Sequence, residues 1–170
     1  TADDGINGNE LWKSDGTSSG TVMVKDIVNG SSGIYADSFA AVGNTLYFNA
    51  YTGANGYELW KSDGTSSGTV MVKDIRSGAS GGAPYWLTVI GSTLYFSAND
   101  GTNGNELWKS DGTALGTVMV LDINSGSDGS NPSDLTAVGN TLFFVANDGT
   151  NGNELWKSDG TALGTVMVLD

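Results

Sequence analysis

One phrase, repeated four times, constrains this chain more than any other feature. "NGNELWKSDGT" begins at Asn7, returns as "NGYELWKSDGT" at Asn55, and recurs unchanged at Asn103 and Asn151. Glu10, Glu58, Glu106 and Glu154 are each 48 residues apart. A fixed period of this size means one supersecondary unit, stacked or arranged in a ring.

In phase, each repeat shows four short apolar runs. In the third they are Tyr85–Gly91, Thr93–Ala98, Glu106–Ser110 and Thr117–Ile123, rich in the β-branched and aromatic residues that suit a pleated surface. The separators carry Asp-Gly and Asn-Gly pairs, which tolerate positive φ and mark tight hairpins. No window has helical periodicity. The expectation is an all-β chain of antiparallel strands A to D. "TLYF", "VMV" and "ELW" place apolar residues on both faces, whereas a sheet with one wet face alternates. Double burial between neighbouring sheets is the arrangement of a propeller, so the expected fold is a β-propeller of four-stranded, 48-residue blades.

"ELWKSDGTSSGTVMVKDI" at Glu10–Ile27 and Glu58–Ile75 resembles the bacterial repeat known by its ELWxxDGT pattern, and the copies from Glu106 onward fit equally well. The resemblance runs along essentially the whole chain. It implies propeller-like blades and an extracellular or cell-surface location, in a family whose molecular function is mostly uncharacterised.

The phase divides the chain into a half blade (1–27, strands C and D) and three blades (28–75, 76–123 and 124–170). Completing a further blade would need the segment equivalent to Ile27–Phe48. Two expectations follow. Either the sequence is a window on a longer repeat protein that closes its ring, or the chain closes by homo-oligomerisation.

Composition narrows the chemistry. A net charge of −12 argues against nucleic acid, whose phosphates need a basic surface, and no apolar run approaches the roughly 20 residues of a membrane span. Histidine and cysteine are absent, which removes the common bases and nucleophile pairs. Of 19 acids, 12 fall at three repeated positions, so no asymmetric catalytic constellation stands out. The expected role is a non-catalytic structural or binding module for a glycan or protein ligand. A lectin-like propeller with equivalent sugar sites and a self-assembling building block are the alternatives.

Three groups of residues are weighed as sites. The SDGT aspartates read as turn formers, with Asp capping backbone N–H groups and Gly taking positive φ. The B–C loops concentrate hard oxygen ligands of the kind calcium prefers. Asp100, Asn103, Asn105 and Glu106 form one set, and Asp148, Asn151, Asn153 and Glu154 another, with Asp4 in the equivalent place of the first repeat. The second copy, "YTGANGYE", lacks the Asp, and a hairpin-loop role is favoured. No cofactor is required, and calcium is the one candidate ion. Trp12, Trp60, Trp108 and Trp156 recur with the repeat and read as packing residues, whereas Tyr85 and Trp86 belong to one repeat only and form the candidate ligand-binding pair.

Overall fold

The structure, a computed structural model, describes residues 1–169. The strands are β1 (Ala2–Asp3), β2 (Asn9–Lys13), β3 (Val22–Lys25), β4 (Tyr35–Val42), β5 (Thr45–Thr52), β6 (Gly56–Ser62), β7 (Val70–Lys73), β8 (Tyr85–Ile90), β9 (Thr93–Asn99), β10 (Asn105–Ser110), β11 (Val118–Leu121), β12 (Ser133–Val138), β13 (Thr141–Asn147), β14 (Asn153–Ser158) and β15 (Val166–Leu169). They form one three-stranded and three four-stranded antiparallel sheets, each in simple sequence order. There is no helix among the described residues. The fold is all-β and propeller-like.

The first strands of the three complete sheets, β4, β8 and β12, are neighbours, so the sheets fan out from an inner edge. The core lies between sheets rather than within them. Tyr47, Leu59, Val72 and Ile75 of the second sheet pack against Leu94, Phe96, Ala98 and Trp108 of the third. The next seam repeats this with Tyr95, Leu107 and Val120 against Leu142, Phe144 and Trp156. Trp60, Trp108 and Trp156 thus pack against the leucine and valine of the preceding repeat, as their periodicity implied. Truncating one such buried aromatic costs about 3–5 kcal/mol.

Polar bonds reinforce the same seams. Lys13 Nζ donates to the Gly64 carbonyl at 2.8 Å, Lys61 to Gly112 at 2.8 Å and Lys109 to Gly160 at 2.7 Å, each reaching the next SDGT turn. Lys25 and Lys73 make a second bridge, to Thr69 O and Thr117 O. The SDGT turns form as their chemistry predicts: Asp63 Oδ1 accepts from the Thr65 amide at 2.8 Å and from its hydroxyl at 2.6 Å. These exposed bonds hold the Asp63 carboxyl below its ordinary value, the Thr65 hydroxyl contributing most.

The fourth strand is shorter than the apolar run implied, ending at Leu121 rather than Ile123. The cause is the ELW glutamate. Glu106 is fully buried, and its carboxylate accepts from the amides of Ile123 (3.1 Å), Asn124 (3.2 Å) and Ser130 (2.8 Å) and from the Ser130 hydroxyl. Those N–H groups are thereby taken from the ladder and fold the D–A connection back over the sheet. Glu58 does the same for Ile75, Arg76 and Gly82. The preceding Gly56 and Gly104 (φ 67° and 70°) let this connection pass, since a Cβ on either would strike the backbone at Gly81 or Gly129.

Candidate ligand-binding seam

Six aromatic residues break the repeat: Tyr35, Phe39, Tyr51, Tyr57, Tyr85 and Trp86. Their counterparts in the neighbouring repeats are mostly small or polar, such as Asn99 for Tyr51, Asn105 for Tyr57 and Ser133 for Tyr85. Tyr35, Phe39, Tyr51 and Tyr57 lie on the second sheet, with Phe39 stacked on Phe48, and Tyr85 and Trp86 lie on β8 of the third, where they also line a pocket with Asn131, Pro132 and Ser133.

Register explains how they meet. Tyr35 on β4 is directly opposite Tyr51 on β5, and Tyr51 is opposite Tyr57 on β6. Directly opposed residues share a face, so the three form a tyrosine ladder, with ring centroids 6.4 and 5.1 Å apart. Two residues along β4, Asp37 sits opposite Asn49, whose Nδ2 donates to Asp37 Oδ1 at 3.0 Å. Tyr85 approaches from the third sheet. Burial raises the Tyr57 phenol, and Tyr85, Asp37, Tyr35 and Tyr51 push it further up.

The backbone also departs from the ordinary here. Each inner strand carries a bulge, seen as a register shift between Asp37 and Ala40, Tyr85 and Thr88, and Ser133 and Thr136. Within each bulge one residue is left-handed: Ser38 (φ 54°), Trp86 (φ 61°) and Asp134 (φ 54°). Short polar residues tolerate that conformation, but a tryptophan there is strained, and such strain clusters at binding sites. Thr88 Oγ1 donates within 3.0 Å of both Trp86 O and Leu135 O, tying the bulge to the fourth sheet. The bulges frame a cavity of about 490 Å³ lined by Ser38, Phe39, Tyr85, Trp86, Leu87, Thr88 and Leu135. Phe39, Tyr85 and Trp86 are 48%, 41% and 47% exposed, open to a ligand despite their apolar character. Bulges are a known means of re-aiming a side chain next to a site.

Tyr85 and Trp86 therefore line the cavity together with Phe39, whereas the ladder of Tyr35, Tyr51 and Tyr57 lies outside its lining. The B–C loop residues are placed differently. Asp100 Oδ1 accepts from the amides of Thr102 and Asn103 (2.8 Å each), and its Oδ2 from Asn103 Nδ2. Although partial burial works against it, these bonds hold the Asp100 carboxyl below its ordinary value. Asp148 and Asp4 make the same loop bonds with Asn151 and Asn7. Asn105 donates to Asn131 at 3.2 Å, while Glu106 closes the D–A connection. Asp100 and Asn103 thus bond to each other within the loop, whereas Asn105 and Glu106 serve other partners. Asn153 begins β14, and Glu154 is half-buried. Among the described residues no three of His, Cys, Asp and Glu gather in a way that would hold a metal.

No family model matches the chain, and no curated protein matches it. Among solved structures it is similar to puromycin hydrolase, seen alone and as a mutant complexed with PGG, each with a TM-score of 0.60 at 14% identity. The match covers 95% of this chain and 25% of that one. This likeness concerns the fold, in keeping with the propeller-like fan of sheets.

Proposed function

We propose that this chain is a non-catalytic binding module, a propeller of 48-residue blades from an extracellular or cell-surface protein, whose ligand docks at the aromatic seam between the second and third sheets. The observation that carries this reading is that the six out-of-phase aromatics fall on two adjoining sheets, three of them exposed around one cavity, while the repeated aromatics are packing residues. A repeat under purely structural demand has no use for exposed Tyr85 and Trp86 on a strained bulge. The extracellular setting rests on the ELWxxDGT resemblance. The lectin-like alternative with one sugar site per repeat predicts an equivalent platform at every seam, and the tyrosine ladder has no counterpart at the next one, where Asn99 and Asn105 replace Tyr51 and Tyr57.

The test is capture on arrays of glycans and of surface and matrix polypeptides, comparing the natural chain with the Tyr85→Ser, Trp86→Ser double variant. Capture that vanishes in the variant supports the seam. Capture indifferent to both substitutions refutes it. A hydrolytic activity abolished by replacing one carboxylate would refute the non-catalytic reading. Calcium is an optional ion here, and a fall in melting temperature on chelation would reveal one.

A further inference from the structure

The chemistry of the seam is one-sided. Its rings are those of Tyr35, Tyr51 and Tyr57, and the polar groups beside them are the Asp37 carboxylate and the Asn49 amide. Asn49 is fully buried. Because a carboxylate only accepts, the amide nitrogen must face Asp37, which leaves Asn49 Oδ1 as a buried acceptor without a donor. Such an atom calls for a partner. Asn49 also breaks the repeat, as Ser97 and Val145 hold the equivalent places.

No lysine or arginine lines the cavity of Phe39, Tyr85 and Trp86. Lys13, Lys25, Lys61, Lys73 and Lys109 are all engaged with backbone carbonyls across the seams. The Arg76 side chain lies beside Gly101 of the next B–C loop. A net charge of −12 adds a negative field. Aromatic faces, a carboxylate and an unfilled acceptor suit a planar, donor-only cation. The guanidinium stacks on aromatic rings, donates in a fork and carries no acceptor of its own. A hydroxylated ligand would gain nothing from the field.

We propose that the tyrosine ladder, Asp37, Asn49 and Tyr85 form a receptor for an arginine side chain of a partner polypeptide. The proposal rests on the binding-module reading and gives its seam a ligand class. The guanidinium stacks on the ladder and donates to Asp37, which supplies the charge.

The probe is N-acetyl-Gly-Arg-Gly-amide, titrated at low ionic strength while following the Trp86 indole resonance, identified with Trp86→Phe, and the tyrosine ring signals. A single side chain makes few contacts, so a Kd on the order of 1 mM is expected. The same peptide with neutral citrulline should bind about tenfold more weakly, Asp37→Asn should weaken the arginine probe about fivefold, and added salt should weaken it further. Tyr51→Ser checks the ladder independently, with circular dichroism confirming the fold of each variant. Equal binding of arginine and citrulline peptides, indifference to both Asp37→Asn and Tyr51→Ser, or no shift at all overturns the arginine assignment. Array capture that depends on Tyr85 and Trp86 but is not displaced by the arginine peptide leaves the binding seam standing and removes only its ligand. If no array ligand depends on that pair either, the binding reading falls as well.

Discussion

The ELW glutamate offers an internal titration of what a buried acceptor is worth. One residue in one motif meets a different number of donors in each repeat. Glu10 accepts two, from Ile27 and Val28. Glu58 accepts three, from Ile75, Arg76 and Gly82. Glu106 accepts four, counting both donors of Ser130. Substitution by alanine leaves the donors without partners, at about 1–3 kcal/mol for each one that stays buried. The lower end applies, because removing the carboxylate also relieves the cost of burying its charge and some donors are only part-buried. The expected losses are about 2 kcal/mol for Glu10→Ala, 3 for Glu58→Ala and 4 for Glu106→Ala. Urea denaturation of the three variants, compared at unchanged m-value, measures the series. Three equal losses, or a Glu10 variant as damaged as the Glu106 one, would show that the glutamate does not act through the D–A connection.

Three further outcomes follow from the same geometry. Burial raises the carboxyls of Glu10, Glu58 and Glu106 above their ordinary value of 4.5. Their stabilising contribution is therefore complete below that value and is lost as pH rises through the folded-state value. The turn aspartates Asp15, Asp63, Asp111 and Asp159 are lowered from 3.8, first by the hydroxyl of the following Thr, so theirs is present above 3.8 and lost as pH falls. Melting temperature should thus rise on acidification from neutrality toward the ordinary glutamate value and fall below 3.8; a steady decline from pH 7 downward contradicts the glutamate assignment. Trp86→Gly should stabilise the fold by about 0.5–1 kcal/mol through relief of the left-handed backbone, while abolishing capture at the seam. A loss of stability would mean that Trp86 is a packing residue. Lys61→Met removes the bridge to Gly112 while keeping most of the apolar stem, and should cost about 0.5–1.5 kcal/mol by denaturation, with no loss of β content by circular dichroism.

How far the fold and the seam could be read in advance depended on the distance over which each interaction acts. The strand edges in the third repeat were legible to within a residue or two because pleating and turn formation are decided by near neighbours. The fourth strand was overestimated most: its last apolar residue, Ile123, gives its amide to Glu106, 17 residues away. Tyr85 and Trp86 were legible as a departure from the repeat. The same comparison, applied at every position, also picks out Tyr35, Phe39, Tyr51, Tyr57 and Asn49.

The sequence by itself determined the period, the all-β character, the turns and the list of residues that break the pattern, since these depend on composition and on spacings of a few residues. The tertiary structure alone decided which of those departures share a surface. Cross-strand register sets Tyr35, Tyr51 and Tyr57 side by side, and the stacking of one sheet on the next brings Tyr85 to them. It likewise decided that Lys13, Lys61 and Lys109 each reach a carbonyl 51 residues on. Such contacts form only where separate sheets bury their faces together, and a linear pattern does not encode which faces meet.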